Sequence, residues 1–160
     1  MRENLKYLII GDTIIDETID LEATGLSLES PTIKTVPYDY SYDFGGAANV
    51  AKFLAGFDRR VTFATSMEDI QAVEFERRYP DVELLNYYQG RSNKKSRMWV
   101  RHGDSRYKHL QINNVNDEIA QSFMPIFDLD EYDIIAFADY RCGFIKSKII
   151  KHVTDSGKIT

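Results

Sequence analysis

The sequence predicts an α/β fold: a layered sheet of mainly parallel strands with flanking helices and a small β-sheet lid. Two observations predict it. Short apolar runs alternate with amphipathic segments along the chain, which is typical of parallel α/β layering. Two polar-faced stretches, at about 13–44 and 91–114, interrupt this order and alternate as hairpins do. With 160 residues, 43% of them hydrophobic, the chain can bury one sizeable core, so we expect one globular unit.

The first elements set the pattern. Residues 5–10 (LKYLII), stopped by Gly11, predict a strand buried on both faces. A helix with one small, apolar side is expected at about 46–57, directly after a double glycine. The later predicted elements are, in order, a strand at 60–65, a helix at 68–80 ended by Pro80, a strand at 81–88, a helix at 116–127 with Asn116 as N-cap, a strand at 132–139 and a helix at 145–157.

The two excursions are expected to pair as one accessory sheet that acts as a lid. Gly103 and Asp104 supply turn chemistry to the second, and Pro31 and Pro37 are taken as turn residues of the first. Another copy of the chain is expected to cover an exposed apolar face of this lid, with residues such as Trp99 or Tyr107.

The last residues, Lys158–Thr160, stand where the layering predicts the next strand. Because domains seldom stop within a repeating unit, the chain is expected to be the first half of a longer α/β architecture or a shortened version of one.

Charge and composition exclude several classes of function. The formal net charge of -5 gives no basic field for nucleic acid. No apolar run approaches the length of a membrane span or a signal-peptide core. A single cysteine, Cys142, allows no internal disulfide, and the three histidines show no metal-ligand spacing with it. We therefore expect a cytoplasmic protein that binds a small molecule or another protein, with no metal site.

Two short motifs carry candidate binding residues near the start of the chain. Asp12 and Asp16, in GDTIID, follow the first strand and could hold sugar hydroxyls or a cation; alternatively they are a turn residue and a solvated strand acid. Gly45, Gly46 and Asn49, in DFGGAANVA, could form a backbone cradle for a neutral, hydroxyl-rich ligand. The alternative is a plain strand-to-helix turn with a solvated asparagine.

Two further groups of residues lie later in the chain. Lys94, Lys95 and Arg97 could neutralise a phosphate on the ligand, or could equally guard the edge of a sheet against aggregation. Asp139, in ADYRCG, follows a late strand as Asp12 follows the first. Nothing near Cys142 supplies a base for a nucleophilic cysteine.

Taken together, GDTIID, FGGAANVA, KKSR and ADYRCG, in that order and separation, resemble the ribokinase-like (PfkB) carbohydrate kinases. The likeness covers nearly the whole chain and is strongest to the heptose-phosphate kinase part of bifunctional ADP-heptose synthases. It implies transfer of the γ-phosphate of ATP to a sugar hydroxyl, with ATP and Mg²⁺ as cofactors of a complete family member. It also implies that a sugar or sugar phosphate contacts the matching residues, which are Asp16, Gly45, Gly46, Asn49, Lys95, Arg97 and Asp139; Asp12 is kept as a further substrate-binding candidate from its place after the first strand.

The departures from the family pattern bear on activity. The usual G-D-D after the third strand is replaced by TSMED, the K-G after Asp139 is Cys142-Gly143, and the G-A-G-D segment with its anion hole and catalytic aspartate is absent. No catalytic residue is therefore assigned, and no cofactor is expected on this chain alone. Two hypotheses stay open: the sugar-binding half of a kinase, completed by a continuation or a second polypeptide, or a non-catalytic sugar-binding or assembly module derived from that fold.

Overall fold

The structure, a computed structural model, describes residues 5–57, 59–87, 90–115 and 128–158. Its strands are β1 (Lys6–Gly11), β2 (Thr13–Leu26), β3 (Ile33–Gly46), β4 (Arg60–Thr65), β5 (Val82–Asn86), β6 (Asn93–His102), β7 (Ser105–Asn114) and β8 (Ile134–Ala138). Its helices are α1 (Ala47–Ala55), α2 (Asp69–Arg78) and α3 (Ser147–Asp155). The chain divides into a first compact unit, Met1–Ile14, Phe44–Asn93 and Val115–Thr160, and a second, Ile15–Asp43 and Lys94–Asn114.

The first unit is built on a parallel sheet with the strand order β5-β4-β1-β8. Leu8, Ile9 and Ile10 of β1 are fully buried, as the apolar run at 5–10 predicts. One face of the sheet packs on α3 through a cluster that includes Leu8, Ile10, Ile135, Ile149 and Val153. The buried ring of Phe75 on α2 packs against the buried rings of Phe44 on β3 and Phe63 on β4. The predicted α/β fold class is confirmed.

The helix bounds differ from the predicted ones by one to two residues at each end. The helix predicted at 68–80 ends at Arg78 because Tyr79 precedes Pro80, and the residue before a proline is pushed out of the helical region; Tyr79 has φ -130° and ψ 64°. A short 3-10 helix at Leu129–Glu131 was not predicted. Asp128 is its N-cap, and the Asp128 side chain accepts a hydrogen bond from the N–H of Asp130. The helix predicted at 116–127, with its N-cap Asn116, lies outside the described residues.

The second unit contains most of a four-stranded sheet, the small sheet, with the order β3-β2-β6-β7. The pairing of the two excursions into one sheet is therefore confirmed. β6 and β7 form an antiparallel hairpin around Gly103, which has φ +58°. Pro37 is not a turn residue, which corrects the prediction: it lies within β3, an edge strand of the described sheet, where a missing N–H donor is tolerated.

The two faces of the β6–β7 hairpin differ in chemistry. Trp99 pairs with Lys108 and Val100 pairs with Tyr107, so Trp99 and Tyr107 lie on opposite faces. Trp99 packs under the guanidinium of Arg106, whose carbon lies 4.3 Å from the ring centroid. Trp99 is therefore not part of the apolar face. That face of the hairpin carries the exposed residues Tyr107, Leu110 and Ile112.

Candidate functional site

The carboxyl edge of the parallel sheet is the place in the first unit where a ligand is expected. β1 lies between β4 and β8, and all three strands run in the same direction. The chain leaves β1 toward β4 on one side and later reaches β8 on the other, so the sheet has a topological switch point at β1 and β8. Open α/β sheets bind their ligands in the crevice outside the strand ends at such a point.

Asp12 is the first residue after β1, and its carboxylate ties two distant segments together. Its Oδ2 accepts hydrogen bonds from the backbone N–H groups of Tyr140, at 3.0 Å, and Cys142, at 3.2 Å. Its Oδ1 accepts from the N–H of Phe144, at 2.9 Å. The residue is only 1% exposed, and this burial raises the pKa of its carboxyl group above the ordinary value despite the three donors. Asp12 therefore anchors the segment that follows β8.

Gly46, the second glycine before α1, is required by the chain's own backbone. Gly46 has φ +63° and ψ -133°, a conformation that side-chain-bearing residues rarely adopt. A Cβ atom at Gly46 would lie 2.4 Å from the carbonyl oxygen of Asp12, which accepts a hydrogen bond from the N–H of Ala47 at 2.9 Å. Gly45 is buried beside it. The sequence predicted a close approach of these glycines to a ligand, but the close approach that the structure records is to Asp12.

Two predicted residues of the first unit present exposed polar side chains. Asn49 is exposed in the first turn of α1. Asp139 is exposed directly after β8, and its Oδ1 accepts a hydrogen bond from the N–H of Arg141 at 2.7 Å. A buried hydrogen bond of 2.8 Å between the hydroxyls of Thr13 and Thr65 joins the start of β2 to the end of β4, and sequence reasoning did not find this pair.

The predicted residues of the second unit lie on the small sheet. Asp16 of β2 and Arg97 of β6 form an ion pair of 2.8 Å, and each side chain is about one-third exposed (30% and 28%). Lys95 stands two residues before Arg97 on the same face of β6, and it is partly buried. Lys94 faces the other side, where it lies 3.6 Å from Glu17. The predicted cluster of three cations is therefore divided between two faces.

Glu17 is a paired acidic residue that the sequence analysis missed. Its carboxylate accepts hydrogen bonds from the hydroxyls of Ser96 and Tyr40, beside Lys94. Burial works to raise the pKa of Glu17, but the hydrogen bonds and the nearby ammonium outweigh burial, so the pKa lies below its ordinary value. Because side chains alternate along a strand, Glu17 is expected on the face of β2 opposite to that of Asp16. Only the position of β6 shows which partners each acid meets.

The structure groups the predicted residues by unit. Asp12, Gly45, Gly46, Asn49 and Asp139 belong to the first unit, and Asp16, Lys95 and Arg97 belong to the second. Cys142 is 6% exposed, and its burial, with Asp12 and Asp139 nearby, raises its pKa to about 11. Within the described ranges, no three or more His, Cys, Asp or Glu side chains are grouped as metal ligands. None of the described helices is long and apolar enough to cross a membrane.

Comparison with known proteins supports the resemblance found in the sequence. No family model matches the chain. The bifunctional protein HldE of Bradyrhizobium diazoefficiens is 25% identical over 168 aligned residues, which cover 94% of this chain and 33% of that protein. The chain thus spans about a third of the length of the curated relative it matches.

Solved structures of sugar kinases share the fold. The microbiome-derived acarbose kinase Mak1 matches with a TM-score of 0.62 at 11% identity, over 97% of this chain and 51% of its own. Phosphofructokinase-2 from Escherichia coli, in its tetrameric inhibited form, matches with a TM-score of 0.61 at 13% identity, over 97% and 53%. A carbohydrate kinase from Agrobacterium tumefaciens matches with a TM-score of 0.61 at 14% identity, over 83% and 45%.

The fold and the comparisons define the class of this protein: it has the ribokinase-like fold of carbohydrate kinases. More particularly, it represents part of that fold, and its similarity to the bifunctional protein HldE supports the likeness to ADP-heptose synthases that the sequence predicted.

Proposed function

We propose that this chain is the sugar- or sugar-phosphate-binding portion of a PfkB-type carbohydrate kinase. The observation that carries the proposal is the carboxyl edge of the parallel sheet, where Asp12 fixes both the start of α1 and the segment after β8. This edge holds two exposed polar side chains, Asn49 and Asp139. An amide and a carboxylate together offer the donors and acceptors that sugar hydroxyls require.

In the second unit, the ion pair of Asp16 and Arg97 supports the same proposal. Because each side chain is about one-third exposed, both groups keep hydrogen-bonding capacity toward a ligand. A carboxylate accepts from sugar hydroxyls, whereas a guanidinium donates to hydroxyl or phosphate oxygens. We propose that Lys95 adds a second cation on this face of the small sheet.

A complete kinase of this type would also bind ATP and Mg²⁺ and transfer the γ-phosphate to the sugar. That reaction requires a charge-stabilising site for the transferred group and a base for the sugar hydroxyl. The family's G-A-G-D segment, which supplies both, does not occur in these 160 residues. We therefore propose that the polypeptide binds its sugar without phosphorylating it. Further proposals are a cytoplasmic location and either a second copy or a complementing polypeptide as partner, with no binding of nucleic acid or membranes.

The proposal is tested by calorimetric titration of the 160-residue chain with a panel of pentoses, hexoses, heptoses and their phosphates. At least one ligand is expected to bind, and Asp16→Asn and Asn49→Ala are each expected to weaken that binding tenfold or more. Asp20→Asn is the matched control for Asp16, since Asp20 also lies on β2 and pairs with an arginine, Arg106, at 2.6 Å. Glu76→Ala, at an exposed position of α2, is the control for Asn49.

Two outcomes would contradict the proposal. Failure of every sugar and sugar phosphate to bind would remove the sugar-binding function. Equal losses of affinity in Asp16→Asn and Asp20→Asn would show that general charge loss, rather than the predicted site, is responsible. A phosphate-transfer assay with ATP and Mg²⁺, run on the same panel, is expected to show no turnover; turnover by the purified chain would overturn the assignment of a binding portion alone.

A further inference from the structure

Asp12 holds three parts of the first unit together. Its backbone N–H donates to the carbonyl oxygen of Ala138, the last residue of β8, at 3.3 Å, and its carbonyl oxygen accepts from the N–H of Ala47, the first residue of α1. Its carboxylate accepts from three N–H groups of the segment after β8, residues 139–144. Because only 1% of Asp12 is exposed, its carboxylate is not available to a ligand while this segment is in place.

The segment after β8 depends on this carboxylate for its position. Residues 139–143 form neither helix nor strand. Within the segment, the N–H of Arg141 donates to Asp139 at 2.7 Å, and the thiol of Cys142 donates to the carbonyl oxygen two residues before it at 3.6 Å. In the part of the chain that the structure describes, the hydrogen bonds from residues 139–143 to other segments all end on Asp12.

The backbone of this segment is held in a conformation that it would not adopt by itself. Arg141 has φ 61°, in the left-handed region that is unfavourable for residues other than glycine. Such a conformation persists only where the surrounding structure maintains it. The Asp12 carboxylate binds the N–H groups on both sides of Arg141, those of Tyr140 and Cys142. It is therefore the group that keeps the strained residue in place.

An open arrangement of the segment would relieve a cost and expose a thiol. Burial raises the pKa of the Asp12 carboxyl group above its ordinary value despite the three N–H donors, because the ionised group lacks water. Opening the segment returns water to this carboxylate and releases the strain at Arg141. It also uncovers Cys142, which is 6% exposed when the segment is closed.

We propose that Asp12 is a positioning residue that controls whether the segment after β8 is closed or open. In the closed state, which the structure shows, Asp139 stands at the carboxyl edge of the sheet and Cys142 is shielded. In the open state, Asp139 leaves that edge and Cys142 reacts with reagents in solution. Asp12 thus acts on a ligand only through this segment. The effect on ligand binding rests on the proposed function, whereas the two states of the segment do not.

Alkylation of Cys142, the single cysteine of the chain, measures the open state. Its rate with iodoacetamide is followed at several urea concentrations below the unfolding transition. Asp12→Ala removes both acceptor oxygens, whereas Asp12→Asn keeps the shape but turns an amide nitrogen toward at least one N–H donor. Both variants keep the backbone hydrogen bonds of residue 12. Phe75→Leu is the control, since it opens a cavity in the core of the same unit away from the segment.

The urea dependence separates opening of the segment from unfolding of the whole unit. Local opening exposes little surface, so alkylation of the wild type and of both Asp12 variants is expected to change little with urea, whereas global unfolding responds steeply. Without urea, Asp12→Ala is expected to react at least tenfold faster than the wild type, with Asp12→Asn between them. Phe75→Leu is expected to react like the wild type without urea and to reach the steep regime at lower urea.

Calorimetric titration with the sugars and sugar phosphates above tests the positioning role. A ligand of the wild type is expected to bind Asp12→Asn at least tenfold more weakly, to bind Phe75→Leu unchanged, and to slow the alkylation of Cys142 in the wild type. Equal binding to the wild type and Asp12→Asn, with different alkylation rates, would refute the positioning role and keep the two states. Failure of every ligand to bind the wild type would refute the proposed function, and the alkylation rates would still decide the two states.

The two states are overturned if Cys142 of the wild type is alkylated only through the steep, urea-dependent process. They are also overturned if Asp12→Asn and Phe75→Leu react at the same rate without urea. The wild-type series needs no variant, so it decides the question even where a substitution at Asp12 prevents folding. Hydrogen exchange of the wild type gives a second measurement: the N–H groups of Tyr140 and Cys142 are expected to exchange by local opening, faster than those of Leu8 and Ile9 in β1.

Discussion

Three glycines of the first unit allow the close backbone approach at α1 to be tested apart from the positive φ. Gly46 combines both constraints: its φ is +63°, and a Cβ atom would lie 2.4 Å from the carbonyl oxygen of Asp12. Gly11 has only the close contact, since a Cβ there would lie 2.5 Å from both the Ala138 carbonyl oxygen and the Ala47 Cβ. Gly157 has only the positive φ, which is +71°, with open space around it. Substitution of each by alanine separates the two costs.

The expected magnitudes follow from these contacts. Left-handed backbone costs about 1–2 kcal/mol for alanine, which is the whole cost expected at Gly157. Overpacking against backbone costs about 1–3 kcal/mol at Gly11. Gly46→Ala adds the two and strains the hydrogen bond from Ala47 to Asp12, itself worth about 1 kcal/mol, for a total of about 4 kcal/mol. For a chain of this size these values correspond to melting temperatures lowered by about 3, 5 and 10 °C.

Thermal and urea unfolding, followed by far-ultraviolet circular dichroism at one pH, measure these differences. All three glycines belong to the first unit, so the same transition reports on each substitution. The order of stability is expected to be Gly157→Ala, then Gly11→Ala, then Gly46→Ala, from highest to lowest. If Gly46→Ala costs no more than Gly157→Ala, the contact between Gly46 and the carbonyl oxygen of Asp12 is not a constraint, and the structural explanation of Gly46 is wrong.

Three further predictions concern the buried thiol and the small sheet. Cys142, whose pKa is raised to about 11, should react with iodoacetamide at pH 8 far more slowly in the native protein than in urea; equal rates would contradict its burial. The pKa of Glu17 is lowered on folding, so its stabilising effect is present above about pH 4.5 and is lost as the pH falls through the folded value. The stability lost in Glu17→Gln should therefore shrink in urea titrations at lower pH, and a constant difference would refute this. If a second copy covers the apolar face, Leu110→Lys should lower the mass measured by sedimentation, whereas Gln111→Lys, on the opposite face, should not.

Part of the fold could be predicted because the central strands of the parallel sheet, β1 and β4, are mostly buried. The run LKYLII is mostly apolar and RVTFAT is rich in β-branched and aromatic residues, so both are read as strands without knowledge of their neighbours. The apolar runs did not indicate which strands pair with each other. The antiparallel register of β6 and β7 contains an irregularity between Met98 and Trp99. This shift places Trp99 and Tyr107 on opposite faces of the hairpin. A change of one residue reverses the face, and no local pattern in the sequence indicated it.

The candidate site was predictable in position but not in contacts. Parallel strands end at one edge, so Asp12 and Asp139, which each follow a predicted strand, could be placed at that edge from the sequence. The role of Asp12 could not be predicted in this way, because its partners, Tyr140 and Phe144, lie 128 and 132 residues later in the chain. A carboxylate that accepts backbone N–H groups at such a separation leaves no pattern of side chains in the sequence.

The acids of β2 show where the family resemblance and the geometry give different information. Asp16 and Asp20 each pair with one arginine, at 2.8 Å and 2.6 Å, and half-exposed pairs of this kind contribute at most about 1 kcal/mol each. Their geometry alone does not distinguish a ligand-binding acid from one that only joins two strands. Exposure does distinguish them, because the Asp16 side chain is 30% exposed and that of Asp20 is 13% exposed. The acid chosen by resemblance is therefore also the one that a ligand can reach, and a difference in sugar affinity between Asp16→Asn and Asp20→Asn at similar stability would join the two arguments.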